Sequence, residues 1–255
     1  MTPSAAPPRW WRLLRGAWRG VRLLAHIAGG LWTYHLRFPR LSPAQRQAAV
    51  QAWADGMLGK VGITLERHGT PAATGPVLLV ANHISWLDIV TMHAARYCRF
   101  VSKADIRQWP LVGSMADAAG TLYIQRESRR DAMRVVHHMA ESLRAGDVLA
   151  VFPEGTTSDG ITMLPFHANL LQAAISANAP VQPVAISYVD SQTGQPTLAP
   201  CYIGDDPLVV SIWRTLTSPA ILAVVRYGEL QTAQGRDRRQ WATDLQADVA
   251  RLRSG

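Results

Sequence analysis

The sequence predicts an α/β domain, a mixed sheet flanked by helices, preceded by an N-terminal pair of amphipathic helices. Three observations carry this. Seven short apolar, β-branched runs recur from residue 63 onward, helical patterns separate them, and the chain before them keeps helical spacing. With 255 residues, 48% of them hydrophobic, the chain is long enough to bury a sizeable core. The expected division is a helical segment over 1–61 and an α/β domain over 62–255.

Arg9, Arg12, Arg15, Arg19 and Arg22 recur every three or four residues and fall on one helical face, with Trp10, Trp11, Leu14, Ala17, Trp18, Val21 and Ala25 on the opposite arc. The uncharged run Leu23–Leu36 is 14 residues long. A membrane span needs roughly 20. The segment is therefore expected to lie on a membrane surface, arginines toward anionic headgroups and indoles at the boundary, rather than to cross or be cleaved as a leader. Ser42-Pro43-Ala44-Gln45 combines an N-cap serine, proline at the first helical position and glutamine at the third. This opens a second helix, with Ala49, Val50, Trp53, Met57, Leu58 and Val61 at helical spacing and Gly62 as its stop.

Strands are expected at 63–67, 77–81, 99–102, 122–125, 148–152, 181–189 and 221–226. Helices are expected over 128–144, 166–177 and 237–252. The net charge of +8 and a pI near 10.2 draw the chain to anionic partners. Cys98 and Cys201 form neither a C-x-x-C pair nor a disulfide framework.

Two polar loops follow apolar strands. In Asn82-His83-Ile84-Ser85-Trp86-Leu87-Asp88, a turn separates the histidine from the aspartate, so the side chains can approach. An aspartate that accepts the proton of one imidazole nitrogen leaves the other as a general base. Such a base activates a bound hydroxyl without any protein nucleophile. The second loop is Phe152-Pro153-Glu154-Gly155-Thr156-Thr157-Ser158. Strand ends of open α/β sheets are where ligands bind.

These two segments, some seventy residues apart, resemble the paired signature of the glycerolipid acyltransferases. Gly120-Thr121-Leu122-Tyr123-Ile124-Gln125-Arg126 is similar to that family's G-x-x-F-I-x-R block, and Val181-Gln182-Pro183-Val184 to its late V-P-V block. The resemblance implies transfer of a fatty acyl group from acyl carrier protein or coenzyme A to a lysophospholipid hydroxyl, most simply lysophosphatidate, with His83 and Asp88 catalytic. It also implies acceptor binding by Gly120, Arg126, Glu154, Gly155, Thr156 and Thr157, and acyl or wall contacts at Pro183. No G-x-G-x-x-G or complete P-loop is present, so neither cofactor nor metal is expected, and the helix pair, which fits the resemblance, points to a peripheral or monotopic place on the cytoplasmic face of the inner membrane. Thr157 departs from the pattern, since many lysophosphatidate enzymes have arginine there. With Leu164-Pro165-Phe166-His167, the loop looks like a branch that includes lyso-ornithine lipid acyltransferases. Lys103, Arg107, Arg129 and Arg130 are further candidate cations.

A non-catalytic basic protein binding membrane or nucleic acid is the competing class, but no nucleic-acid motif is present. A serine hydrolase would need a G-x-S-x-G elbow, which is absent, leaving only Ser85. His137 and His138 are adjacent in a predicted helix and point apart, a poor metal pair. Cys98 reads as a small core residue.

Overall fold

The structure, a computed structural model, describes residues 8–124, 129–204 and 206–255. Helix α1 (Arg9–Leu36) and helix α2 (Pro43–Val61) come first, then β1 (Ile63–His68), β2 (Val77–Ala81), α3 (Leu87–Ala95) and β3 (Arg99–Lys103). They are followed by α4 (Val112–Ala118), β4 (Leu122–Ile124), α5 (Arg129–Arg144), β5 (Val148–Val151) and α6 (Leu171–Ala177). The chain ends with β6 (Val181–Asp190), α7 (Leu208–Thr217), β7 (Ile221–Tyr227) and α8 (Arg238–Ser254).

The sheet order is β1-β7-β6-β2-β5-β3-β4, parallel throughout except between β6 and β7. It is thus the mixed sheet expected. Central β2 shows why: all five of its residues are buried, with Val77, Leu79 and Ala81 facing one core and Leu78 and Val80 the other. Helices α2 and α3 cover the first face, joined there by Leu216 of α7. The second face packs under α5, α6 and α8 through Met139, Leu143, Leu171, Trp241 and Leu245.

All the expected strands form, with ends shifted by a residue or two. The helix expected over 166–177 becomes regular only at Leu171, after a 3-10 turn. The amide of Phe166 bonds Gln246 and that of His167 bonds the carbonyl of Pro153, so this stretch crosses the sheet end instead of coiling. Helices α4 and α7 were not expected. Gln125 lies outside the described residues.

The start of α2 is a capping box: Ser42 Oγ accepts from the Gln45 amide at 3.3 Å, and Gln45 Oε1 from the Ser42 amide at 2.9 Å. Its end is Gly62 at φ 84°, where a Cβ would also strike the Arg19 guanidinium. Ala54, Met57, Leu58 and Val61 of α2 belong to the main core, so the helix pair shares its packing with the α/β layers.

Helix α1 docks through residues that break its apolar run. His26 stacks on Trp53, and each ring reaches the other's backbone carbonyl: His26 Nε2 at 2.8 Å and Trp53 Nε1 at 3.3 Å. Gly30 lies under Trp53, where a Cβ would sit 2.3 Å from Nε1. Among the described residues no helix is long and apolar enough to cross a membrane. Trp10, Trp11, Leu14, Trp18 and Val21 lie open to solvent, at least half exposed.

The arginine face is divided. Arg15 donates to the Ser218 carbonyl at 3.1 Å, and Arg19 to Leu216 at 3.0 Å and Ser218 at 2.8 Å. Both therefore cap the C-terminal end of α7, where free carbonyls and the helix dipole favour a cation. Arg9 and Arg12 remain exposed. Of the five arginines expected to meet headgroups, two are turned into the protein.

Arg19→Ala should accordingly lower stability by about 2 kcal/mol, the scale of a charged donor lost from part-buried carbonyls. Arg12→Ala should change it by less than about 0.5 kcal/mol, as for an exposed surface residue. Urea denaturation in detergent, followed by circular dichroism, checks the contrast.

Candidate active site

Strand β2 ends at Ala81, and the next residue carries the pairing on with its side chain. Asn82 Oδ1 accepts from the Ile186 amide at 2.8 Å, and its Nδ2 donates to the Ile186 carbonyl at 3.0 Å. The backbone is thereby free to turn across the sheet end while both groups of β6 stay satisfied. His83 follows, its ring stacked on Phe152 from β5's end with centroids 4.1 Å apart and planes 4° from parallel.

His83 Nδ1 lies 2.8 Å from Asp88 Oδ2. Asp88 sits in the first turn of α3 and is wholly buried. The same oxygen accepts from the amides of Ile84 at 2.6 Å and Ser85 at 2.9 Å, while Oδ1 accepts from the Tyr188 hydroxyl at 2.8 Å. A carboxylate met by amide and hydroxyl donors only accepts, so the proton of the His83–Asp88 bond belongs to Nδ1. Nε2 then keeps its lone pair, and the His83 side chain is 18% exposed. The imidazole is thereby held in one tautomer and one orientation at the mouth of the sheet.

Glu154 reaches the site from behind. Its Oε1 accepts from the His83 amide at 2.7 Å and its Oε2 from the Leu164 amide at 2.8 Å, and only 4% of the residue is exposed. Burial raises its carboxyl above the ordinary value, against the lowering effect of those two amides. The residue braces two loops; it does not present an open carboxylate to an acceptor. Ser158 completes the brace, its amide and hydroxyl both donating to the His83 carbonyl at 2.8 and 3.1 Å.

Gly155, at φ 75°, and Thr156 are exposed on the same loop. Thr157 is half-buried, and its hydroxyl donates to the carbonyl of Tyr202. Gly120 ends the turn after α4 at φ 72°, bonded to Asp117 and Arg99, in a cleft of about 570 Å³ lined by Tyr34, Phe38, Arg46 and Tyr97. It is not joined to His83. Register nevertheless carries its segment toward the site, because Leu122 pairs with Val101, one residue beyond the Phe100–Ala150 pair, level with the ends of β5 and β2. Arg126, which ends this block, lies outside the described residues, as do the side chains of Arg129 and Arg130. Lys103 is exposed, Arg107 faces Asp117 at 3.6 Å, and Pro183 is buried between β2 and Gly228.

The alternative nucleophiles are occupied. Ser85 is fully buried, its hydroxyl donating to the Pro200 carbonyl at 2.5 Å. Burial pushes the Cys98 thiol up to about 12, which keeps it protonated. His137 and His138 are exposed and both face Glu141, at 3.1 and 3.3 Å. Among the described residues no group of three potential ligands could hold a metal ion.

The residues not anticipated are Asn82 as a strand extension, Phe152 as the ring beneath His83, and Tyr188. A signal for Tyr188 existed: in Val184-Ala185-Ile186-Ser187-Tyr188, alternation puts it on the same face as Val184 and Ile186.

Glu154→Ala should lower stability by about 2 kcal/mol because two part-buried amides lose their acceptor, and Glu154→Gln, which keeps one acceptor, by about half of that. Thermal unfolding measures both. Lost activity at unchanged stability would instead mark Glu154 as a direct ligand.

Residues 63–187 match the family model described as Acyltransferase. The chain is 42% identical over 177 residues to a 1-acyl-sn-glycerol-3-phosphate acyltransferase of Neisseria gonorrhoeae, covering 69% of this chain and 68% of that one. It is 36% identical over 242 residues to the lyso-ornithine lipid O-acyltransferase of Pseudomonas aeruginosa, with 92% of each chain covered. The fold is similar to that of the 1-acyl-sn-glycerophosphate acyltransferase of Thermotoga maritima, with a TM-score of 0.68 at 19% identity over 97% of this chain and 98% of that one. A tautomer-fixed histidine at the end of β2, a family match spanning β1 to β6, and relatives covered over most of their length lead to one statement: this chain belongs to the acyltransferase family.

Proposed function

We propose that this protein moves a fatty acyl group from an acyl thioester, carried on acyl carrier protein or coenzyme A, to the free hydroxyl of a lysophospholipid. The observation that carries the mechanism is the His83–Asp88 bond at 2.8 Å with Nε2 left open. Nε2 takes the proton of the acceptor hydroxyl as its oxygen attacks the thioester carbonyl, forming the ester C–O bond. The tetrahedral intermediate collapses with cleavage of the C–S bond, and the imidazolium returns its proton to the departing thiolate. Asp88 stabilises the imidazolium between these steps. No protein nucleophile takes part.

The primary acceptor on this reading is 1-acyl-sn-glycerol-3-phosphate, giving phosphatidic acid, with Gly120, Arg126 and the loop at Gly155, Thr156 and Thr157 as the acceptor-side residues. A second acceptor, lyso-ornithine lipid, is favoured by one observation: Thr157 brings no cation to the loop and its hydroxyl is already bound to Tyr202. A relative with that activity is matched over 92% of both chains.

Both acceptors are lipids, and the open face of α1 supports docking on one leaflet at the cytoplasmic side of the inner membrane. Indoles at the headgroup boundary are energetically suited to this, and Arg9 and Arg12 are free to meet anionic lipid. The exposed side of α7 extends the apolar area. Trp213 rests on Gly16 of α1, and Val209 and Val210 point outward from the preceding turn.

His83→Ala should lower transfer at least about a hundredfold, the contribution of a general base. The assay uses purified protein in detergent, both thioester donors, and lysophosphatidate beside lyso-ornithine lipid. Product from only one acceptor assigns the substrate, and a His83→Ala variant near wild-type rate refutes the mechanism. Co-sedimentation with anionic vesicles should fall when Trp18→Glu interrupts the apolar face, and should weaken with salt because the arginine attraction is screened.

A further inference from the structure

Asp88 has two oxygens, and the family signature accounts for the surroundings of only one. Oδ2 receives His83 Nδ1 and the amides of Ile84 and Ser85, all from its own turn. Oδ1 points the other way, into the core between α3 and β6, where the hydroxyl of Tyr188 donates to it at 2.8 Å. Tyr188 is 4% exposed and Asp88 0%. Thr91, one turn further along α3, lies with Oγ1 3.2 Å from the same phenol oxygen. Since the Tyr188 proton points at Asp88, the Thr91 hydroxyl is the donor in that contact. Two bonds therefore run in one direction, Thr91 to Tyr188 and Tyr188 to Asp88 Oδ1, and at Asp88 they meet the bond that His83 donates to Oδ2. The two aligned bonds polarise and strengthen one another in a medium of low dielectric.

We propose that Tyr188 is a positioning residue for His83: by holding the second oxygen of Asp88 against α3 and β6, it sets the carboxylate plane, and so the direction in which the imidazole presents Nε2. The proposal rests on the general-base reading of His83. A carboxylate anchored only through Oδ2 can pivot about its Cβ–Cγ bond and carry the imidazole with it, whereas donors at both oxygens remove that freedom. The phenol also has an electrostatic effect. Its O–H dipole aims its positive end at Asp88 and, beyond it, at His83, which weakens the carboxylate's hold on an imidazolium. Burial and the adjacent carboxylate raise the Tyr188 phenol well above its ordinary value, so the hydroxyl remains a donor across the working range. The other titratable or charged groups near this pair are Glu154, Asp159 and His167 around the β5 loop, Cys201 before α7, and Arg253 of α8. All of them stay in place when Tyr188 loses only its oxygen.

The test compares Tyr188→Phe, Thr91→Val and Thr91→Ser with the unaltered enzyme, in the detergent acyl-transfer assay, with His83→Ala alongside. Tyr188→Phe should lower kcat about tenfold with KM for the acceptor changed less than about twofold, the pattern of an interaction that matters in the transition state. The acidic limb of its kcat/KM profile should move upward by roughly half a pH unit, because the imidazolium is held more strongly once the dipole is gone. Thr91→Val should shift both quantities in the same direction by less, and Thr91→Ser, which keeps the donor, should restore them. A merely structural tyrosine would lower the melting temperature and leave the acidic limb where it was. That result, or an unchanged kcat and pH profile in Tyr188→Phe, overturns the proposal. Should Tyr188→Phe fail to fold, the Thr91→Val and Thr91→Ser pair decides by the same criteria. An active His83→Ala would overturn the underlying general-base reading, an outcome distinct from a silent Tyr188→Phe beside a dead His83→Ala.

Discussion

A carboxylate with no exposure to water must be surrounded by donors, and much of this fold is arranged around that requirement at Asp88. Two amides come from the turn after β2, one ring nitrogen from His83, and one hydroxyl from β6. Each donor fixes the element that bears it. The turn cannot unwind, α3 must begin where it does, and β6 must run past its pairing with β2 to bring Tyr188 level with α3. Glu154 does the same on the outer side, where two loop amides converge on a second buried carboxylate. The imidazole of His83 therefore stands between two buried carboxyl braces, with its ring edge turned outward.

Those parts of the site that depend on neighbours in sequence were readable without a structure. His83 and Asp88 are a turn apart, and the cap at Ser42, Pro43 and Gln45 is contained in four residues, so local geometry decides both. The strands were readable because β-branched runs between turn residues leave little choice. What sequence could not supply were relations across the sheet. Glu154 stood out as a polar residue beside a strand end, yet nothing in its neighbourhood says that both of its oxygens face backbone. Tyr188 is separated from Asp88 by most of the domain. Helix α7 gives little sequence signal because its ten residues carry no charged stripe beyond Arg214, and α4 because Gly113 and Gly120 resemble loop punctuation.

The N-terminal arginines teach the same lesson in a subtler way. Their periodicity correctly predicts one helical face, but a face has no address until its partner is known. Arg15 and Arg19 bond the last carbonyls of α7, while Arg9 and Arg12, on the same stripe, meet solvent. A cation that caps a helix and a cation that meets a phosphate satisfy the same physical preference for negative partial charge. The sequence pattern cannot distinguish them.

The reversed pair β1 and β7 has a geometric consequence for how the N-terminal helices meet the sheet. Because β7 runs antiparallel to β6, and β1 follows β7, β1 starts beside Ile221 and Asp190 and ends with His68 beside Arg226 and Ala185, next to the Val184 that pairs with Ala81 at the exit of β2. The chain thus enters the sheet beyond the end of β2 and runs back toward it. The junction with α2 at Gly62 stands roughly 20 Å of strand from the level of Ala81, while the last residue of β1 comes level with the turn that bears His83. A single strand reversal therefore makes β1 a spacer, about one strand long, between the α2 junction and the imidazole.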